Sequence, residues 1–256
     1  MTLRYYRVAN VLAHQSDIEM NSTTKNIPQP QPLPYRKDID GLRGIAVLLV
    51  IAFHFNLRPI TAGYIGVDIF FVISGFLITS LLCRETTIFS PLRNFYARRI
   101  KRLLPMFLVF SIATTAIATG LLLPDDYLHY IRSLYFAFLF QANSYFDDEA
   151  KDYFAPNSHE LPLLHIWSLS IEWQFYLLFP LLFLIARKIL PQRFLVAGVT
   201  VLTISLAIVS IRKTGNSQSA YLSTSARFFE LMTGCVAALI KMADSSLKCN
   251  GHLLQV

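Results

Sequence analysis

Three ionisable residues, Arg43, His54 and Asp68, lie in or beside two apolar segments near the start of the chain. Arg43 and His54 are eleven positions apart, close to three helical turns, so on one helix they would point within about 20° of each other, about 16 Å apart. Asp68 enters the second segment at a depth similar to that of His54. Ionisable side chains in a bilayer are costly and usually mark function, and an imidazole beside a carboxylate can move protons. Two structural alternatives remain open. His54 could serve only as a hydrogen-bonding partner between helices, and Asp68 could serve only to neutralise Arg58.

A second set of polar residues follows a helical repeat in a later apolar segment. His165, Ser168, Glu172 and Tyr176 are spaced by three, four and four positions, which places them on one stripe of an otherwise apolar helix. Such a stripe must face protein or a wet cavity and not lipid. The pattern fits a substrate site and a structural hydrogen-bond network equally well.

A basic segment separates the two sets of polar residues. Positions 84 to 102 contain one acidic residue, Glu85, and six basic residues: Arg84, Arg93, Arg98, Arg99, Lys101 and Arg102. By the positive-inside rule this segment and the N-terminus are cytoplasmic. The cluster either anchors this topology or binds a phosphate-rich ligand such as coenzyme A, because arginine grips phosphates bidentately. Arg99 and Arg102 share a helix face.

Composition indicates a membrane protein. Of the 256 residues 54% are hydrophobic and only 15% are charged, with a net charge of +7. The positive surplus suits cytoplasmic loops, so no nucleic-acid partner is predicted. The three cysteines show no paired spacing, and we expect neither a disulfide framework nor a metal site. The predicted fold is all-α, a polytopic transmembrane helix bundle with six or seven spans in the lipid bilayer.

The chain divides into three parts. Residues 1–34 are predicted to be a disordered cytoplasmic tail, residues 35–242 a transmembrane domain, and residues 243–256 an unstructured tail. The third span is predicted at Leu103–Leu123, with Pro105 in its first turns, where proline is tolerated. Leu128–Phe140 is too short for a full crossing, so it is expected to be tilted, partial or interfacial. The acidic, aromatic stretch Asn143–Glu160 is predicted to be a loop.

Several of these segments, in the right order, resemble the acyltransferase 3 family of integral-membrane O-acyltransferases that modify bacterial surface glycans. The spacing of Arg43 and His54 is part of the match. The other matching segments are residues 35–44 (YRKDIDGLRG), 66–76 (GVDIFFVISGF), 95–105 (FYARRIKRLLP), 165–180 (HIWSLSIEWQFYLLFP) and 227–231 (RFFEL).

The resemblance implies transfer of an acyl group, commonly acetyl, from cytoplasmic acyl-CoA to a hydroxyl of a polysaccharide such as lipopolysaccharide. Acyl-CoA would be a donor substrate and not a bound cofactor, and the protein would lie in the bacterial plasma membrane. A sugar hydroxyl needs a base, for which neutral His54 is the best-placed candidate, with Asp68 holding its tautomer. The implied site comprises His54, Asp68 and Glu172 as catalytic residues, Arg43, Arg99 and Arg102 for the donor phosphates, and His165, Ser168 and Tyr176 for the acceptor.

The chain departs from the family pattern in two ways. Family members carry about ten spans, often followed by an esterase-like domain, so six or seven spans predict a truncated copy that lacks its C-terminal half or partner domain. Trp173 stands where the family commonly has a second acidic residue. Two alternatives therefore stay open: a transporter or flippase-like protein whose buried charges line a pathway, and a non-catalytic remnant.

Overall fold

The computed structural model describes residues 36–57, 62–84, 89–149, 161–214 and 221–252. The chain divides into two units, Met1–Pro34 and Tyr35–Val256. The first unit, which includes the predicted cytoplasmic tail, lies outside the described residues. So do Arg58, residues 150–160 of the acidic stretch and the last four residues of the chain.

Every regular element in the described ranges is helical, which confirms the all-α prediction. Four of the helices are long and apolar enough to cross a membrane: Ile65–Leu82, Leu92–Leu121, Ile166–Ile189 and Gln192–Lys213. The structure thus supports a membrane helix bundle, without establishing six or seven spans. The helices are α1 (Lys37–His54), α2 (Ile65–Leu82), α3 (Phe89–Leu121), α4 (Pro124–Phe138), α5 (Ala142–Glu149), α6 (Ile166–Ile189), α7 (Gln192–Thr214) and α8 (Thr224–His252).

Helices α2, α6 and α8 form the centre of the bundle and run in the same direction. Glycines allow α2 and α8 to touch backbone to backbone: a Cβ on Gly75 would lie 1.8 Å from the carbonyl oxygen of Leu231. A Cβ on Gly234 would lie 2.0 Å from the carbonyl oxygen of Val72. Small residues at such contacts let membrane helices gain van der Waals packing, which is their main source of association energy.

The outer helices expose apolar side chains. Val109 and Ile112 of α3, and Val201 and Ile211 of α7, are each at least 60% exposed. A contiguous apolar surface of this kind is rare on a protein in water, and it is the surface expected against lipid tails.

Helices α4 and α5 form a hairpin whose tip is Phe140, a residue with φ of 55°. The ring of Phe140 stacks on Trp173 with centroids 4.5 Å apart, and its carbonyl oxygen accepts a hydrogen bond from Gln174 at 2.8 Å. Trp173, which stands where the family commonly has an acidic residue, therefore packs against the tip of this hairpin. Helix α4 has 15 residues and ends before the turn at Phe140, so it is not among the helices long enough to cross a membrane. Its tilted, partial or interfacial placement stays a prediction.

Three predicted boundaries differ from the structure. Helix α3 begins at Phe89 and not at Leu103, because residues 92–104 are mostly good helix formers without glycine or proline, and Pro91 occupies the first turn. The prediction that Pro105 lies in the first turns is wrong, since it is inside α3. Residues 143–149, part of the stretch predicted as a loop, lie in α5. Helix α8 continues to His252, past the predicted boundary at 242, because no glycine or proline intervenes before Gly251.

Candidate active site

A cavity of about 310 Å³ lies between α1, α2 and α6. Its polar lining consists of Ser168 and Glu172, one turn apart on α6, so this part of the predicted polar stripe does face a cavity. The rest of the lining is apolar: Val47, Val50, Ile51, Val67, Phe70, Phe71 and Leu169. An apolar chamber with one carboxylate suits a ligand that is largely uncharged and can donate a hydrogen bond.

Two hydroxyl groups hold Glu172 in place. Ser74 of α2 and Tyr176 of α6 both donate to Oε1 of Glu172, and the two hydroxyl oxygens are 3.3 Å apart. Tyr176 is 1% exposed and Ser74 is 6% exposed, so the donors are shielded from competing water. Hydrogen bonds to an ionised acceptor are about twice as strong as neutral ones, and these two fix the orientation of the carboxylate.

Arg99 reaches this cluster from α3. Its guanidinium carbon lies 4.7 Å from the ring centroid of Tyr176 and 5.6 Å from that of Phe95, which is within the range of cation–π attraction. Helix α3 runs opposite to α6, with the Tyr96 hydroxyl donating to the Leu177 carbonyl at 3.0 Å. Arg99 is therefore level with the middle of α6.

His54 is the last residue of α1, one turn beyond Val50 in the cavity wall. Its Nδ1 lies 2.8 Å from the carbonyl oxygen of Val50. A carbonyl only accepts, so Nδ1 carries the hydrogen and Nε2 of the neutral ring is free to accept a proton. Burial lowers the pKa of His165 below the ordinary histidine value, and the nearby His54 lowers it further. The two imidazoles are thus neighbours at one end of the cavity.

Asp68 is part of a separate charged cluster. Arg227 donates to Asp68 at 3.2 Å and to Glu230 at 2.5 Å, and its guanidinium lies 3.9 Å from the ring centroid of Tyr221. Arg227 and Glu230 are three positions apart, so they share one face of α8 and can pair within the helix. Between His54 and Asp68, both of which the structure describes, there is no hydrogen bond, so the Val50 carbonyl and not Asp68 holds the His54 tautomer here.

The remaining predicted residues lie around the cavity. Arg43 is one turn from Val47 in the cavity wall and 3.9 Å from Asp40, whereas Arg102 is exposed one turn beyond Arg99 on α3. The hydroxyl of Ser168 donates to the carbonyl of His165 at 3.4 Å. The structure thus brings Glu172, Tyr176 and Arg99 together directly, while Arg43, His54 and His165 flank the same chamber. The individual roles of all these residues stay predictions.

Sequence reasoning missed Ser74 and a buried amide network. Asn143 donates to Thr224 at 2.8 Å, Thr224 to Gln174 at 2.8 Å, and Gln174 to Asn143 at 2.9 Å. This closed triangle joins α5, α6 and α8 and satisfies polar groups that would be costly to bury alone. Ser74 and Gln174 are polar residues within apolar segments, a signal that does not identify their partners, whereas Asn143 and Thr224 lie in polar stretches that carry no such signal.

The site combines a guanidinium, a held carboxylate and an imidazole with a free Nε2 along one apolar chamber. A guanidinium binds anionic groups such as phosphates, and a neutral imidazole can take a proton from a hydroxyl. The arrangement suits a partly apolar, anionic ligand that reacts with a hydroxyl.

Comparison with known proteins identifies the family of this chain. The acyltransferase domain family matches residues 36–248 of the chain. The chain is 39% identical over 214 residues to O-acetyltransferase OatA of Staphylococcus aureus strains NCTC 8325 and COL, which covers 80% of this chain and 35% of the relative. It is also 34% identical over 223 residues to the protein named Putative O-acetyltransferase SAS0844 of S. aureus strain MSSA476. This match covers 85% of the chain and 37% of the relative.

The chain spans about a third of the length of these curated relatives. No solved structure matches it. The family match covers most of the residues that the structure describes, including the cavity and the Arg99, Glu172 and His54 side chains around it. The chain therefore belongs to the acyltransferase 3 family, whose members are acyltransferases.

Proposed function

We propose that this protein takes part in O-acetylation, moving an acetyl group from cytoplasmic acyl-CoA to a hydroxyl of a cell-surface polysaccharide or related glycan. The observation that carries the proposal is the direct contact between Arg99, Tyr176 and Glu172 at the wall of a chamber whose other end lies beside His54. The names of the OatA relatives agree with acetyl as the transferred group.

In the proposed reaction the acceptor hydroxyl oxygen attacks the thioester carbonyl carbon. A C–O bond forms, the C–S bond breaks, and the hydroxyl proton passes to Nε2 of neutral His54. The resulting imidazolium returns that proton to the departing thiolate, which leaves as the coenzyme A thiol. The Val50 carbonyl keeps the other ring hydrogen on Nδ1 throughout, so the basic nitrogen is defined before the substrate arrives.

The donor phosphates are assigned to Arg99 and Arg102, with Arg43 at the entry of α1. These three residues lie in the N-terminal halves of α1 and α3, which carry most of the basic residues of those helices. This distribution favours a cytoplasmic face on that side and a cytoplasmic N-terminus in the bacterial plasma membrane. His165 and Ser168, beside His54, are assigned to the acceptor side. We also propose that the transfer is completed by a C-terminal half or an esterase-like partner domain of the kind that the family resemblance implies.

The test is acetyl-CoA binding and turnover by the purified chain in detergent or nanodiscs, beside Arg99→Ala and His54→Ala variants. We expect donor binding by the parent chain, weakened at least tenfold in Arg99→Ala because a guanidinium–phosphate contact contributes a charge-assisted bond. His54→Ala should bind the donor normally and lose turnover.

Three other results would overturn the proposal. Donor binding that is unchanged by Arg99→Ala would mean that the basic cluster only anchors the topology, as in the transporter alternative. Full turnover by His54→Ala would remove the proposed base. Absence of donor binding by the parent chain itself would favour the non-catalytic remnant.

A further inference from the structure

Ser74 is a buried hydroxyl to which neither the motif match nor the proposed reaction assigns a role. It lies on α2, 6% exposed, and donates to Oε1 of Glu172 on α6, as Tyr176 does. The two hydroxyl oxygens are 3.3 Å apart, so the three side chains form a triangle of polar atoms between the two helices, in which both hydroxyl hydrogens are donated to Glu172.

The triangle leaves the second carboxylate oxygen of Glu172 available. Both hydroxyl donors converge on Oε1, and Oε2 accepts from no donor among the described residues. Although Oε2 has no hydrogen-bond partner among the described residues, it is not a fully buried atom. This agrees with the position of Glu172 in the cavity wall. Because the terminal torsion of glutamate is otherwise broad, two donors on Oε1 are what keeps Oε2 directed to the chamber.

The Ser74 hydroxyl is not needed to hold α2 in place. The neighbouring Gly75 and, on α8, Gly234 fix α2 against α8 through backbone contacts, independently of Glu172. Loss of the hydroxyl would therefore change the orientation of one carboxylate and leave the packing of the helix intact.

The chamber fits the pantetheine arm of the donor better than a sugar. Seven of its nine lining residues are apolar, so a densely hydroxylated sugar would leave most of its hydroxyl groups without partners. The pantetheine arm is uncharged, mostly apolar and carries amide N–H groups. The chamber also lies between Arg99, assigned to the phosphates, and His54, where the thioester must arrive.

We propose that Ser74 is a positioning residue that, with Tyr176, directs Oε2 of Glu172 to accept a hydrogen bond from a pantetheine amide of the donor. This inference rests on the proposed acyl transfer and names the part of the donor that the chamber recognises.

The test compares three acetyl thioesters with Ser74→Ala: acetyl-CoA, S-acetyl-N-acetylcysteamine, which keeps an amide, and S-ethyl thioacetate, which has none. With the two amide donors, kcat/KM of thioester turnover should fall about tenfold to a hundredfold, the range expected for one hydrogen bond to a charged group. With S-ethyl thioacetate it should stay within about twofold of the parent chain. Tyr176→Phe, which keeps the ring beneath Arg99, should likewise lose turnover with the two amide donors.

Ser170→Ala is the matched control, because Ser170 is a fully buried serine of α6 whose hydroxyl has no hydrogen-bond partner in the described part of the chain. It should turn over all three donors normally. An equal loss with all three donors in both Ser74→Ala and Tyr176→Phe, or no loss in either, would overturn the inference while the acyl-transfer proposal stands. Failure of the parent chain to use any donor would instead refute the proposed function on which the inference rests.

Discussion

Replacing Arg227 with methionine should destabilise the protein strongly. The Arg227 side chain is 12% exposed and joins Asp68, 29% exposed, to Glu230, 6% exposed. Oε2 of Glu230 is already buried without a hydrogen-bond partner among the described residues. Removing the cation would leave two carboxylates close together with no compensating charge. Loss of one partner from a buried ion pair costs about 3–5 kcal/mol.

Thermal unfolding of the purified chain in detergent measures this cost. For a chain of this size, 1 kcal/mol corresponds to about 2–4 °C in Tm, so 3 kcal/mol predicts that Arg227→Met melts about 6–12 °C below the parent chain. Methionine retains much of the apolar stem of arginine, so lost packing contributes little to the shift.

A triple variant separates the charge effect from any general damage to α8. Asp68→Asn, Arg227→Met and Glu230→Gln together remove all three charges while keeping the side-chain volumes, and most of the lost stability should return. The reasoning would be refuted by an Arg227→Met protein that melts within about 2 °C of the parent, or by a triple variant that melts as early as the single one.

Three further predictions test packing, electrostatics and the amide network. Gly75→Ala should lower Tm by several degrees because its Cβ would meet a backbone oxygen, whereas Gly198→Ala, with open space around it, should be neutral or slightly stabilising in the same melt. His54→Ala should raise the pKa of His165 without restoring the ordinary value, since burial remains its larger cause; histidine NMR titration would show this, and an unchanged pKa would contradict it. Gln174→Leu should cost about 1–3 kcal/mol by thermal unfolding because it leaves buried polar partners unsatisfied, and a neutral result would mean that water replaces the amide.

The sequence predicted local features better than the contacts between them. Spacing alone placed Ser168 and Glu172 on one helix face, because a helical repeat depends only on neighbouring positions. The partner of Glu172 is 98 positions away at Ser74, and that of Asp68 is 159 positions away at Arg227. Such pairings depend on which helices pack together, and no short motif encodes that. Hydropathy likewise located the apolar part of α3 and missed its basic first turns, which are helical despite their charge.

The continuity of α3 through the basic segment shortens the distance between the proposed phosphate site at Arg99 and the proposed base His54. Had α3 begun at Leu103, Arg99 would lie in a loop, far from His54 and without a fixed partner. In the structure Arg99 packs on Tyr176, and Ser168, next to His165, is eight positions earlier on α6, about 12 Å along the axis. The chamber that Glu172 lines lies in this interval. A donor held by its phosphates at Arg99 therefore has only about two helical turns to cover before its thioester reaches the imidazoles. Helical continuity through the basic segment is thus what would place the donor within reach of the base.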